Sequence, residues 1–79
     1  NKDVKVNFYP NPVNEMLVVE AAQNIETIRI TNLQGQVIRL LQNAGQNITI
    51  NMKNESAGVY ILSVALENGK IISNRIIKK

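Results

Sequence analysis

Hydrophobic and polar residues alternate along most of the chain with the two-residue period of a β-strand. In residues 26–31, Ile28 and Ile30 alternate with polar residues, and residues 46–52 repeat the pattern. Because neighbouring side chains of a strand point to opposite faces, this alternation predicts half-buried antiparallel strands. The predicted strands are residues 4–9, 16–20, 26–31, 36–42, 46–52, 59–67 and 70–78.

Short polar segments rich in asparagine, glycine and proline separate the predicted strands. They are residues 10–12, 32–35, 43–45, 54–58 and 68–69. Residues 36–42 give the strongest helical alternative, but this segment is short and has no usable caps. Strands that start about every ten residues are typical of an immunoglobulin-like sandwich. We therefore predict an all-β, immunoglobulin-like antiparallel β-sandwich of about seven short strands.

The clearest turn is Asn68-Gly69, because both residue types tolerate a positive φ and can join the last two strands into a hairpin. A two-residue turn would pair Leu62 with Arg75. A three-residue turn with a glycine bulge would pair Leu62 with Asn74 and direct Arg75 outward. Burying an unpaired arginine costs more free energy than burying an asparagine, so the bulged register is favoured.

The predicted hairpin is apolar on both faces. Its two rows are Tyr60, Leu62, Val64 and Leu66 on one face and Val59, Ile61 and Ala65 on the other. Either loops partly cover the second row, or the second row and the last strand form a surface for a partner.

Two prolines interrupt the pattern near the start of the chain, at Pro10 and Pro12 with Asn11 between them. Proline cannot donate to a sheet and moves the preceding residue away from helical geometry. The three residues are therefore predicted to form an extended corner at which the chain leaves one sheet and enters the other. Asn11 and Asn14 are expected to stabilise it through hydrogen bonds to nearby backbone.

Length and composition indicate one small domain without disulfide chemistry. The chain has 79 residues, no cysteine and a net charge of +3. Its basic residues are crowded near the end, at Lys70, Arg75, Lys78 and Lys79. A nucleic-acid surface would need a broader basic face and more aromatic residues than two tyrosines and one phenylalanine. No apolar run is long enough to cross a bilayer, and we interpret the chain, which begins with Asn1, as a fragment of a longer protein.

The residue types argue against catalysis. Histidine and cysteine are absent, which removes the usual general base, nucleophile and metal ligands. Glu15 and Glu20 lie five positions apart on a predicted strand, so they face opposite sides and cannot act as a pair. No acidic spacing supports a calcium site. We therefore predict no enzymatic activity, no metal and no cofactor.

Four segments, taken in order, carry a family resemblance. The first is FYPNPVN, residues 8–14, followed by the strand MLVV at 16–19. The others are IRITNLQGQV at 28–37, SAGVYIL at 56–62 and IIKK at 76–79. Together they resemble the type A C-terminal sorting domain of the type IX secretion system, and the resemblance covers nearly the whole chain. One departure is Asn74-Arg75, which stands where many relatives carry two basic residues, so the resemblance does not extend a recognition role to Asn74.

The resemblance implies that residues 1–79 form a single C-terminal sorting domain cut from a longer secreted protein of Bacteroidota. Its partners would be the type IX translocon, a surface sortase and an N-terminal passenger domain in the same chain. The domain would pass through the periplasm and direct its passenger across the outer membrane to the cell surface or the medium. The sortase would then commonly remove it and attach the passenger to the surface. The implied recognition residues are Gly58, Tyr60, Lys78 and Lys79.

Each recognition residue also has a plain structural interpretation. Gly58 would let the chain turn into a strand, Tyr60 would lie in the core with its hydroxyl at the rim, and the two lysines would form a solvated tail. The functional alternative is an immunoglobulin-like or fibronectin-like accessory module for adhesion or carbohydrate binding, appended to a secreted enzyme. Carbohydrate platforms usually expose several aromatic side chains, whereas only Phe8 or Tyr9 could serve here.

Overall fold

The computed structural model describes residues 6–79, except for the side chain of Ala44. The predicted start of the first strand at Val4 lies outside this range. The described chain contains five strands and one isolated parallel bridge between Val13 and Lys78. The strands are β1 (Val6–Tyr9), β2 (Met16–Asn32), β3 (Val37–Asn51), β4 (Gly58–Leu66) and β5 (Ile71–Lys78).

All strand pairs are antiparallel and belong to one continuous five-stranded sheet, which folds over into two layers. The first layer contains β1, residues 16–21 of β2 and residues 47–51 of β3. The second layer has the order β3, β2, β4, β5 and uses residues 25–32 of β2 with residues 37–45 of β3. The long β2–β3 hairpin therefore belongs to both layers. This arrangement confirms the predicted all-β, immunoglobulin-like sandwich.

The β2–β3 hairpin is folded over on itself. At about 3.3 Å per residue, the 17 residues of β2 would span roughly 56 Å if straight, but the longest extent of the molecule is 37 Å. The register between β2 and β3 shifts between Glu20 and Ile25, which marks the bend. On β3, the bend contains Asn43 at φ 55° and Gly45 at φ 73°, and these residue types tolerate positive φ better than most.

The prediction of about seven short strands is wrong in its count. Predicted strands 16–20 and 26–31 are the two halves of β2, and predicted strands 36–42 and 46–52 are the two halves of β3. The polar segment 43–45 bends one continuous strand instead of ending it. A bend within a strand and a turn between strands both interrupt the hydrophobic alternation, so the pattern does not distinguish them.

One hydrophobic core joins the two layers. The β4 row of Tyr60, Leu62, Val64 and Leu66 is buried, and its side chains pack with residues from both halves of β2. The buried core residues are Val13, Leu17, Val19, Ile25, Ile28, Ile30, Ile50, Met52, Tyr60, Leu62, Val64, Leu66 and Ile76.

The β4–β5 hairpin has the bulged register. Leu62 pairs with Asn74 and Ile61 pairs with Arg75, which is exposed. The N–H of Gly69 donates to the carbonyl of Leu66 at 2.9 Å, and Gly69 has φ 90°, the positive value that the bulge requires. The register favoured from the sequence is therefore confirmed.

Candidate functional site

The proline corner, residues 10–15, connects β1 to β2 and touches the second layer on its way. Both X–Pro peptide bonds, Tyr9–Pro10 and Asn11–Pro12, are cis. After Tyr9 the chain leaves the first layer, bridges to Lys78 through Val13, and returns to the first layer at Met16. Residues 10–12 were predicted to form an extended corner between the two sheets. Instead, the segment bends at residues 11–12 and 14–15, and the chain contacts the second layer without staying in it.

Three hydrogen bonds join this corner to the end of β5, and we call them the clasp. The N–H of Val13 donates to the carbonyl of Ile77 at 2.6 Å, and the N–H of Lys79 donates to the carbonyl of Val13 at 2.8 Å. The N–H of Ile77 donates to Oδ1 of Asn11 at 3.1 Å. Asn11 thus bonds a strand 66 positions away instead of the nearby backbone that the sequence suggested.

Removing the Asn11 side chain should weaken the clasp. We expect Asn11→Ala to lower the free energy of unfolding by about 0.5–1.5 kcal/mol, the usual net value of one hydrogen bond. Asn14→Ala is the matched control, since Asn14 is exposed in the same corner and no side-chain hydrogen bond is described for it. Urea denaturation of both variants measures the difference, and equal losses would contradict the assignment of Asn11.

Gly58 and Tyr60 begin β4 next to the clasp. Gly58 lies directly opposite Lys78 and has φ 153°, a conformation that residues with a side chain rarely adopt. Tyr60 is 7% exposed, and its hydroxyl donates to the carbonyl of Ser56 at 2.6 Å. The ring of Tyr60 therefore belongs to the core, as expected, while its hydroxyl ties the preceding loop to the sheet.

The two terminal lysines have different environments. Lys78 is only 7% exposed, and its Nζ donates to the carbonyl of Lys79 at 2.9 Å. Lys79 is exposed. The interpretation of both residues as a solvated tail is wrong for Lys78, because its aliphatic stem is buried and its ammonium group reaches a backbone oxygen.

Further segments meet at the same end of the sandwich. In the β2–β3 turn, Oδ1 of Asn32 accepts from the N–H of Gln34 at 3.0 Å and of Gln36 at 2.9 Å, and Asn32 pairs with Tyr60. Arg39 of β3 holds the loop before β4, with an ion pair to Glu55 at 2.6 Å. We call this end the motif end: residues 10–15, 32–36, 52–58 and 76–79.

An open hollow of about 420 Å³ lies at the motif end, between the β2–β3 turn and the loop before β4. Gly58, Val59 and Tyr60 form part of its lining, together with Glu55. Asn68 and Gly69 lie at the opposite end of β4 and β5, where they form the hairpin turn. The structure thus brings Gly58, Tyr60, Lys78 and Lys79 together with the proline corner, and it separates them from the hairpin turn.

The described residues contain no arrangement of side chains typical of a metal centre. Within residues 6–79, no group of three or more Asp, Glu, His or Cys side chains is placed to hold an ion. In the same range, no helix is long and apolar enough to cross a membrane.

Sequence reasoning missed two contacts that build this end, the Arg39–Glu55 ion pair and the bond from Asn11 to Ile77. Neither contact corresponds to a known spacing or motif, so the sequence does not indicate that the two residues of each pair meet. The burial of Lys78 did leave a signal, because Lys78 has the same parity on β5 as the buried Ile76. Alternation alone therefore places its side chain on the core face.

Comparisons with known proteins agree with this fold. The chain is similar to a solved structure of PorZ, an essential bacterial surface component of the type-IX secretion system of human oral-microbiomic Porphyromonas gingivalis, with a TM-score of 0.77 and 18% sequence identity. The match covers 94% of this chain but only 11% of the PorZ chain, and at this identity it establishes the fold alone. No curated protein matches the chain.

The fold and the motif end define a small β-sandwich module. A family comparison specifies which module it is: residues 7–79 match the family described as "Secretion system C-terminal sorting domain". The chain belongs to this family, the C-terminal sorting domains of type IX secretion. Its role is thus in sorting by that secretion system, whose substrates reach the cell surface or the extracellular space. The family is one of sorting signals, not of enzymes.

Proposed function

We propose that residues 1–79 form one C-terminal sorting domain of a longer secreted protein, and that the type IX translocon binds the folded domain in the periplasm. The translocon then moves the N-terminal passenger across the outer membrane. A surface sortase removes the domain and attaches the passenger to the cell surface. Gly58, Tyr60, Lys78 and Lys79 contribute to recognition, either directly or by shaping the motif end.

The observation that carries this proposal is the meeting of the four family-like segments at one end of the sandwich. Val13, Gly58 and Lys78 are far apart in sequence, but Lys78 pairs with both of the others. A recognition surface for a translocon needs such a defined group of residues, whereas a scaffold that only fills space does not.

A transplant tests the sorting role. Residues 1–79, with the native upstream linker, are fused to a periplasmic reporter in a bacterium with a working type IX system, and in the same strain without the translocon. We expect the reporter outside the cell only when the translocon is present, with loss of the tag if the sortase acts. A stable, folded fusion retained in the periplasm of the competent strain would contradict the proposal and favour the accessory-module alternative.

Lys78 is buried and Lys79 is exposed, so substitutions at the two positions can distinguish a role in recognition from a role in stability. We expect Lys79→Ala to leave the free energy of unfolding within about 0.5 kcal/mol of the wild-type value, because Lys79 is exposed. Lys78→Ala should destabilise by more, since it removes a buried stem, and Lys78→Met should restore most of this loss.

The same variants in the export assay show whether either ammonium group is recognised. Reduced export by Lys79→Ala, or by Lys78→Met at wild-type stability, would support recognition of the charge. Wild-type export by both variants would exclude both charges and leave Lys78 as a structural residue.

A further inference from the structure

The outer face of the second layer is a surface that the motif end does not use. We define the outer face as the side of β2, β4 and β5 directed away from the core. The strand registers give its rows: Ile61 lies between Thr31 and Arg75, and Ser63 lies between Arg29 and Ser73. Ala65 lies between Thr27 and Ile71 in the next row.

This face is apolar in its centre and accessible at its sides. Val59, Ile61 and Ala65 are half-buried along the middle strand, while Ile71 is 68% exposed and Ile77 is 44% exposed. A hollow of about 180 Å³ opens on the face. All five residues that line it belong to the sheet: Thr27, Arg29, Ser63, Ala65 and Ile71. Of the two alternatives for the second row, covering loops or a partner surface, this arrangement favours the partner surface.

The charges on the outer face have one sign. Arg29 and Arg75 are exposed there, and the ion pair found among residues 6–79 involves neither of them, since it joins Arg39 to Glu55. Glu26 and Glu67 line a different hollow, at the hairpin end of the sheet. An apolar strip flanked by two guanidinium groups complements a protein surface that is apolar in its centre and carries carboxylates beside it.

We propose that the outer face binds an acidic, apolar-centred protein surface of the export machinery, with Arg29 and Arg75 facing carboxylates of that partner. This inference rests on the proposed sorting role. A second copy of the chain fits less well, because two such faces would bring four guanidinium groups together. A glycan also fits less well, since the three aromatic side chains of the protein lie in β1 and in the core.

The size of the face matches a transient contact. Three strands at about 4.8 Å and eight residues at about 3.4 Å give roughly 400 Å². This is below the ~800 Å² per partner that is typical of a stable complex. A sorting signal that must be released after export needs such a limited contact.

Charge reversal tests the electrostatic part of the proposal. The variant Arg29→Glu/Arg75→Glu is compared with Gln46→Glu/Thr49→Glu/Lys70→Glu, which changes the net charge equally at exposed positions outside both the outer face and the motif end. Each variant domain is fused to the C-terminus of the secreted reporter in place of the wild-type domain. We expect export of the arginine variant to fall about tenfold or more, because like charges across an interface are strongly unfavourable. This control should be exported as wild type.

Crosslinking tests the contact without relying on a charge change. A photo-crosslinking amino acid at Ser73, with the exposed Thr49 of the first layer as the control position, should give an adduct with a protein of the export machinery only from Ser73. Arg29→Gln/Arg75→Gln should weaken that adduct while the domain stays protease-resistant. No adduct from Ser73, an adduct with a second copy of the chain, or an adduct with lipopolysaccharide would overturn the proposal.

The two proposals fail in different ways. If the wild-type fusion is not exported, the sorting role itself fails. If the wild-type fusion and the arginine variant are exported equally, and Ser73 gives no adduct, only the outer-face contact fails.

Discussion

Tyr60→Ala should cost about 3–5 kcal/mol of folding free energy, the usual range for removing a large aromatic side chain from a core. The ring of Tyr60 is 7% exposed and packs in the single core that joins both layers. A domain of this length has a total stability of about 4–12 kcal/mol, at roughly 0.05–0.15 kcal/mol per residue. The substitution should therefore remove a large part of the free energy of unfolding, which chemical denaturation of the purified domain would measure.

Tyr60→Phe separates the contribution of the hydroxyl to stability from the contribution of the ring. It keeps the packed ring and removes the bond to the carbonyl of Ser56, so we expect a loss of about 0.5–1.5 kcal/mol. Tyr9→Phe is the matched control, because it removes an exposed hydroxyl that donates to Glu20 at 2.7 Å, a bond that raises the pKa of Tyr9. If Tyr60→Ala and Tyr60→Phe were equally destabilising, the ring would not be the main contribution.

Gly58→Ala should lower the free energy of unfolding by about 1–3 kcal/mol. Gly58 has φ 153°, a backbone conformation that is populated almost only by glycine, so an alanine there would be strained. The cost is one of backbone conformation, since a Cβ atom at this position would have no heavy atom within 4 Å. Thermal or urea unfolding measures it. A wild-type stability for Gly58→Ala would show that the chain adjusts φ there without strain.

Gly69→Ala provides the control that distinguishes strain from recognition. Gly69 has φ 90°, also with open space for a Cβ atom, but it lies in the hairpin turn at the opposite end of the sandwich. If both variants are similarly destabilised and only Gly58→Ala loses export, the local geometry of the motif end matters to the translocon. If export by Gly58→Ala and Gly69→Ala falls in proportion to their loss of folding free energy, Gly58 affects export only through the stability of the fold.

Local physical chemistry was enough to predict several parts of the structure. The alternation around Ile28 and Ile30 located strand segments because one face of each segment is buried. The comparison of a buried arginine with a buried asparagine selected the pairing of Leu62 with Asn74, which the structure has. In both cases the deciding interaction lies within one strand or one hairpin, so the sequence contains the necessary information.

Other parts depended on contacts between distant segments. The continuity of β2 follows from how the two layers stack, and no residue between Glu20 and Ile25 indicates whether the chain bends or ends. The bond from Asn11 to Ile77 forms only when the corner reaches the second layer. For the same reason the candidate residues were found through family resemblance, while their meeting at one end required the structure.

The clasp has a consequence for selectivity. The bridge between Val13 and Lys78 joins segments that are far apart in sequence, so the motif end is assembled only in the folded domain. On the proposed recognition, it is a conformational epitope and not a linear one. An unfolded chain carries the same residues but presents them as scattered peptides. A receptor for the assembled epitope would therefore act as quality control, because it would reject chains whose first and last segments have not yet come together.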